Sequence, residues 1–215
     1  MAILLERSAR QRKLKRVFGP GSAGISMSLR EFDQSEFLEG YQYELIKGVL
    51  IVSPAAVENE RDPNEELGFL LRLFKLSHPN GHLVDKTLFE QTIKTRANRR
   101  RADRAIWIGH GRLPRKGQTP DVVAEFVSRG RRDRNRDYVD KRDEYMEINV
   151  GEYWIFDRFR HTLTVYKRQG SKIIKKVYGA TDTYRTPLLP GFEIPLAQIF
   201  ALADEWPSSE EEEYP

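Results

Sequence analysis

The chain has 215 residues, of which 39% are hydrophobic and 32% charged, with a formal net charge of +4 and no cysteine. This length suits one domain with a substantial hydrophobic core. The lack of cysteine excludes disulfides, thiolate zinc sites and cysteine nucleophiles. No apolar stretch approaches the roughly 20 residues of a membrane-spanning helix. We therefore expect a soluble, cytoplasmic protein without a membrane partner.

Charge is distributed unevenly along the chain. Basic residues cluster in RSARQRKLKR (7–16), RANRRR (96–101) and RGRRDRNR (129–136), whereas the C-terminus reads SSEEEEYP. Such clusters attract polyanions, although each alone is also typical of a solvated loop or tail. The GPGSAG segment at 19–24 is a flexible break. We predict a basic flexible arm at 1–24, a folded domain at 25–204 and an acidic tail at 205–215.

The first predicted elements are a short helix opened by Ser28, a typical capping residue, and a β-hairpin at 41–53. A longer helix follows, with Asp62 as its cap and Pro63 in its first turn. Strands are then predicted at 83–95, 102–109, 121–128, 152–157, 162–168 and 171–179, and further helices at 136–149 and near 204. This mixture of helices and strands, without an internal repeat, predicts a mixed α/β fold.

Glu125 interrupts the apolar strand DVVAEFVS. Because side chains alternate along a strand, Asp121, Val123, Glu125 and Val127 share one face, and Val122, Ala124 and Phe126 share the other. A buried carboxylate needs either a cation or a crevice, because burying it without a partner costs several kcal/mol. The alternatives are a functional crevice, a buried ion pair with an arginine, and an edge strand on which Glu125 faces water.

Asp103 begins the preceding strand, ADRAIWIG. An aspartate at a strand end is more often a turn or cap residue than a metal ligand. Two carboxylates on neighbouring strands, however, are the usual minimum for a hard cation such as magnesium. Asp103 and Glu125 are therefore candidate metal ligands.

Lys141 lies in the predicted helix 136–149. At about 100° per residue it falls within the apolar stripe of Tyr138, Tyr145 and Ile148, whereas Arg142 lies on the other shoulder. One interpretation is that the lysine snorkels to water from this position. The other is that the helix covers the carboxylates and delivers the ammonium group to them.

The series YELIKGVLIVSP, RRADRAIWIG, TPDVVAEFVS, RDYVDKRDEY and GEYWIFD resembles the Uma-two family of restriction-endonuclease-like proteins, in the PD-(D/E)XK nuclease superfamily. The resemblance covers roughly residues 41 to 203. It implies a restriction-endonuclease-like α/β fold, in which a mixed β-sheet is flanked by helices and carries additional β-hairpins. The arm and the acidic tail lie outside it.

The resemblance also implies roles for particular residues. Asp103 matches the aspartate of the PD element, with Ala102 in place of the proline, and Glu125 matches the (D/E) position. Val127 stands where the superfamily usually has lysine, and Lys141 matches a lysine that has moved to the following helix. Glu44 matches a recurring glutamate that could complete the acidic site, although a strand-exposed glutamate is an equal alternative. The histidine that is common at the start of the family's long helix is missing.

The implied activity is magnesium-dependent hydrolysis of nucleic acid, with manganese as a substitute and with DNA favoured over RNA. The catalytic residues would be Asp103, Glu125, Lys141 and Glu44. Phosphate contacts would come from Arg99, Arg100, Arg101, Arg131, Arg132 and Arg134. A homodimer is compatible with this interpretation. The alternatives are a catalytically inactive nucleic-acid-binding protein with the same fold, and a small-molecule or protein-interaction module.

Overall fold

The computed structural model describes residues 16–128, 136–170 and 172–206. The strands are β1 Val17–Phe18, β2 Glu36–Phe37, β3 Tyr41–Ile46, β4 Val49–Pro54, β5 Val84–Lys94, β6 Arg99–Ile108, β7 Val122–Phe126, β8 Glu152–Asp157, β9 Thr162–Gln169, β10 Lys172–Gly179, β11 Thr183–Arg185 and β12 Glu193–Pro195. The α-helices are α1 Leu29–Gln34, α2 Glu58–Ser77, α3 Arg142–Glu147 and α4 Leu196–Asp204. A π-helix at Arg136–Lys141 leads directly into α3.

Eight strands form one mixed sheet in the order β10-β9-β8-β7-β6-β3-β4, with β5 also paired to β6. The β7–β8 pair is parallel, and the other pairs of this sheet are antiparallel. This arrangement confirms the predicted fold class, a mixed α/β fold whose large sheet is flanked by helices. The predicted hairpin at 41–53 is confirmed as β3–β4, and β9–β10 forms a second hairpin.

Strand β7 lies inside the sheet and is buried along its whole length. Val122, Ala124 and Phe126 pack with α2 and α4 on one face. Val123 and Val127 pack on the other face with Tyr145 and Met146 of α3. The predicted alternation is therefore confirmed, and the edge-strand alternative for Glu125 is wrong.

The N-terminal boundary of the folded domain differs from the prediction. Phe18 is buried with Phe32, Tyr43 and Leu45 in a separate apolar cluster, and β1 pairs with β2. Residues 17–22 therefore belong to the fold and not to the flexible arm. The Gly–Pro-rich sequence conceals this because its apolar contacts come from distant strands. Residues 1–15 and 207–215 lie outside the described residues.

Helix α2 begins one turn before the predicted start, at Glu58. Its N-cap is Val57, which makes no side-chain cap, and the predicted cap, Asp62, instead accepts a hydrogen bond from Trp206. Capping by Ser28 is confirmed, because Ser28 and Glu31 form a reciprocal capping box. In the described part of the chain, no helix has the length and apolarity needed to cross a membrane.

Candidate active site

Glu125 is 1% exposed and is held by two side chains from the helical segment above it. Lys141 Nζ lies 2.9 Å from Glu125 Oε2, and the Tyr145 hydroxyl donates a hydrogen bond of 3.1 Å to Oε1. The partner of Glu125 is therefore a lysine sixteen residues later, and the alternative of an ion pair with an arginine is wrong. This pairing offsets much of the cost of burying the carboxylate.

Lys141 does not snorkel, because its side chain is 4% exposed. Its ammonium group also donates to the Arg101 carbonyl at 2.9 Å and lies 3.6 Å from Asp137 Oδ1. Burial alone would lower the pKa of Lys141, but the charges of Glu125, Asp137 and Glu44 outweigh burial and raise this pKa. The lysine is thus a charged group fixed inside the protein.

Asp103 lies on β6, next to β7. Arg104 of β6 pairs with Ala124 of β7. Because the two strands are antiparallel, the neighbouring residues Asp103 and Glu125 also lie opposite each other. Asp103 Oδ2 accepts a hydrogen bond of 2.7 Å from the Phe126 amide. Burial raises the pKa of Asp103, whereas the charge of Lys141 and the Phe126 bond oppose the rise.

The carboxylates around Lys141 carry more negative charge than the neighbouring cations balance. Burial raises the pKa of Glu125 well above its usual value, and the charges of Asp103 and Asp137 raise it further against the opposing charge of Lys141. Lys141 and Arg136, which pairs with Asp137, therefore face three carboxylates that repel one another. A proton or an additional cation would stabilise such a cluster of carboxylates.

Asp137 is a member of this cluster that the sequence prediction missed. Its side chain is 2% exposed, and Arg136 Nε donates to it at 3.2 Å. The Tyr153 hydroxyl donates to its backbone carbonyl at 3.1 Å. Its position four residues before Lys141 was the available signal, because oppositely charged residues at this spacing share a helix face. Single-turn π-helices, like the one that carries both residues, are frequent at functional sites.

Glu60, in the first turn of α2, is a second residue that the prediction missed. It accepts a hydrogen bond from Ser128, just beyond β7, and the charge of Asp103 acts on it. Burial raises the pKa of Glu60 to about 7. No local signal marks Glu60, because only the packing of α2 across the sheet brings it near Asp103. It lies close to the helix start where a histidine was expected.

Glu44 supports the site from β3 and is 7% exposed, so the strand-exposed alternative is wrong. Its Oε1 accepts a hydrogen bond of 2.9 Å from the Arg101 amide, and the Arg101 carbonyl in turn accepts from Lys141. Glu44 therefore holds the backbone that positions the ammonium group. Because Glu44 acts on the ammonium group through the Arg101 backbone, it is a positioning residue.

The arginines predicted to bind phosphate are largely engaged within the protein. Arg99 forms a two-pronged ion pair with Asp33, and Arg100 a similar pair with Glu144. These two arginines are 8% and 2% exposed, which speaks against the phosphate contacts predicted for them. Arg101 is half-buried and pairs with Glu90 at 2.8 Å. Arg131, Arg132 and Arg134 lie outside the described residues.

The Asp33–Arg99 pair predicts a pH-dependent contribution to stability. The hydrogen bond from Arg99 lowers the pKa of Asp33 to about 2, and Lys94 adds to the effect. Because the unfolded value is about 3.9, the stabilisation is complete above that pH and is lost as the pH falls towards 2. We expect Asp33→Asn to cost about 1 kcal/mol near neutral pH, allowing for solvent screening, and less near pH 3. Urea unfolding of parent and variant at both pH values measures this, and an unchanged difference would contradict it.

The donor set around Asp103 fits a hard cation. Across the three described ranges, no three Asp, Glu or His side chains are grouped closely enough to hold a metal ion together. Asp103 and Glu125 nevertheless supply carboxylate oxygens, which magnesium prefers, and a magnesium ion commonly keeps several waters beside one or two carboxylates. The excess of negative charge at this point is consistent with such an ion.

The large mixed sheet and the helices that flank it form a restriction-endonuclease-like fold. The chain belongs to the Uma2 family, described as "Putative restriction endonuclease", whose sequence profile matches residues 29–197. A solved structure, described as "a putative nuclease belonging to DUF820" from Anabaena variabilis, has the same fold with a TM-score of 0.65. The two chains are 15% identical over 82% of this chain and 99% of the other. No curated protein gives a significant match.

Proposed function

We propose that the protein is a metal-dependent nuclease that hydrolyses phosphodiester bonds, with DNA favoured over RNA. The observation that carries this proposal is the fully buried ammonium group of Lys141, held 2.9 Å from Glu125 on the strand next to Asp103. Apolar residues would fill this place in a purely structural core at lower cost. Membership of a family described as restriction endonucleases supports the same assignment.

Asp103 and Glu125 would hold Mg²⁺, and we expect Mn²⁺ to substitute for it. Glu60, half-buried in the first turn of α2, would add negative charge near Asp103 without itself holding the ion. When bound, the ion supplies a Lewis acid for the phosphate and lowers the pKa of a coordinated water.

The remaining residues of the site act on orientation and charge. Tyr145 and Lys141 each hold one oxygen of Glu125, so this carboxylate has a fixed direction. Glu44 fixes the Arg101 peptide and, through it, the ammonium group. A phosphate held at this site by the cation would lie close to the ammonium group of Lys141, whose charge would stabilise the negative pentacovalent transition state.

The second candidate function is nucleic-acid binding without cleavage. It is favoured by the contacts of Lys141, whose ammonium group already has Glu125, Asp137 and the Arg101 carbonyl as partners. Because Glu125 is 1% exposed, a metal ion would also need local rearrangement to reach it. In this alternative the cluster serves only to stabilise the fold.

A cleavage assay distinguishes the two functions. Labelled DNA and RNA, each single- and double-stranded, are incubated with the protein in Mg²⁺, Mn²⁺ or EDTA. We expect cleavage with either metal, faster on DNA, and none in EDTA. The Glu125→Gln variant should cut at least about 100-fold more slowly, because the amide is a poorer ligand for a hard cation.

The Glu125→Gln protein, purified in the same way, also controls for contaminating nucleases. Its far-ultraviolet circular dichroism must match that of the parent before rates are compared. Cleavage in EDTA, or equal rates for parent and variant, would contradict the proposed site. Binding that weakens with salt and is never followed by cleavage would favour the second function. The homodimer and the cytoplasmic location stay predictions, which sedimentation and cell fractionation would check.

A further inference from the structure

Arg104, which follows Asp103 on β6, is a buried cation that has no carboxylate partner among the residues that the structure describes. It is 5% exposed. Its Nε and Nη2 donate to the side-chain and backbone oxygens of Asn64 at 2.7 and 2.6 Å, and Nη1 donates to Thr87 Oγ1 at 3.1 Å. All three acceptors are neutral. A guanidinium group has five N–H donors, so these bonds leave two for another acceptor.

The charge environment of Arg104 is unfavourable. Arg104 is buried, and Arg72 places a second positive charge near it, whereas the negative charges of Glu65 and Asp103 act in the opposite sense but more weakly. Among the described residues, none forms an ion pair with either arginine. Burying a cation without an anion costs several kcal/mol, and neutral donors could make the same three hydrogen bonds.

A glycine in the neighbouring helix α2, Gly68, lies against the side chain of Arg104. A Cβ atom at position 68, in the middle of α2, would lie 2.6 Å from Arg104 Nη2, so any other residue at this position would force the guanidinium group to shift from its hydrogen-bonded place. Glycine in a helix interior costs about 1 kcal/mol relative to alanine. The cost of burying the cation and the cost of a glycine inside α2 are both explained if Arg104 has a function besides its hydrogen bonds to α2.

Arg104 lines a cleft of about 1000 Å³ between α2 and β5. Asp103 and Glu60 line the same cleft, and so does Arg72, whose side chain is exposed. Glu65 and Glu66 also line the cleft, so a ligand there would meet these two cations among carboxylates, next to the proposed metal ligand Asp103. A phosphate group matches both the charge and the planar donor pattern of a guanidinium group.

We infer that Arg104 and Arg72 form a phosphate-binding subsite in the α2–β5 cleft, which holds a backbone phosphate of the nucleic acid next to the one that is cleaved. This inference rests on the proposed nuclease function and adds the direction in which the strand lies. The strand runs from Asp103 along the cleft between α2 and β5. Neither arginine was among the phosphate contacts predicted from the sequence.

Binding of a labelled single-stranded oligonucleotide in EDTA tests the subsite without any cleavage. Arg72→Gln should weaken binding at low salt and reduce the slope of log Kd against log salt by about 0.7, the loss of one phosphate contact. Arg104→Lys keeps the charge but removes the forked donor pattern, and we expect about tenfold weaker binding. Lys172→Gln, which removes an exposed charge from β10 at the far edge of the sheet, is the matched control.

If both arginines hold the same phosphate, the double variant will lose less affinity than the product of the two single losses. Arg104→Lys could also weaken the contacts with α2, so the melting temperature of this variant is measured. If that temperature falls, the test depends on the variant of the exposed Arg72. A salt slope for Arg72→Gln equal to those of the parent and Lys172→Gln would overturn the inference. The inference would also be overturned if the variants changed the oligomeric state of the protein but not its affinity for the oligonucleotide. The cleft would then be a contact surface for a second copy of the protein.

This test and the test of the proposed function can fail separately. Parent protein that binds through Arg72 but never cuts would retain the subsite and remove the nuclease. Cleavage with normal binding by the Arg72 and Arg104 variants would retain the nuclease and remove the subsite.

Discussion

Lys141→Met is expected to destabilise the protein by about 3–5 kcal/mol. The substitution leaves the carboxylates of Glu125 and Asp137 buried without their ammonium partner, and breaking a buried pair from one side has this cost. A lysine that merely snorkelled would cost about 1 kcal/mol or less when replaced by methionine, which preserves its stem. Urea unfolding at neutral pH, followed by circular dichroism, measures the difference.

Two further variants show where this cost arises. Arg142→Met, on the next residue, removes a half-buried cation paired with the exposed carboxylate of Asp143, and should cost less than about 1 kcal/mol. In the double variant Lys141→Met/Glu125→Gln the buried carboxylate is neutral, so we expect recovery of about 1–3 kcal/mol relative to Lys141→Met. Equal effects of the Lys141 and Arg142 variants would contradict the buried ion-pair cluster.

Asp103→Asn is expected to lower metal-dependent cleavage by about two to four orders of magnitude while the fold stays intact. The asparagine oxygen can still accept the hydrogen bond from the Phe126 amide, so the link between β6 and β7 is preserved. The change removes the negative charge that a hard cation requires. Single-turnover cleavage in Mg²⁺ and the melting temperature are measured on the same preparations.

Asp85→Asn is the matched control for this variant. Asp85 is also buried and also accepts backbone hydrogen bonds, from the amides of His110 and Arg112, but it has no part in the acidic cluster. It should cleave at the parent rate once any loss of stability is allowed for. Parent-like cleavage by Asp103→Asn, or an equal loss in both variants, would show that Asp103 is not a metal ligand. Isothermal titration with Mn²⁺ provides a readout that does not depend on turnover.

The sequence by itself determined the strands around the site and the faces of their residues. Alternating apolar residues in DVVAEFVS placed Val122 and Val123 on opposite faces, because the side-chain period of a strand is 2. The same sequence predicted that Glu125, if buried, has either a cation or a crevice beside it, because an unpaired buried carboxylate is too costly. Lys141 could be identified as that cation only through its helical spacing and the family resemblance.

Only the tertiary structure decided which charged groups meet. The sequence RANRRRADR gives no sign that Arg99 and Arg100 turn inward to Asp33 and Glu144 while Arg104 stays without a carboxylate partner in the described structure. These partners lie on α1, α2 and α3, and their distances depend on how each helix packs across the sheet. Local propensity acts within a few residues, whereas the burial and pairing of a charge depend on every element that surrounds it.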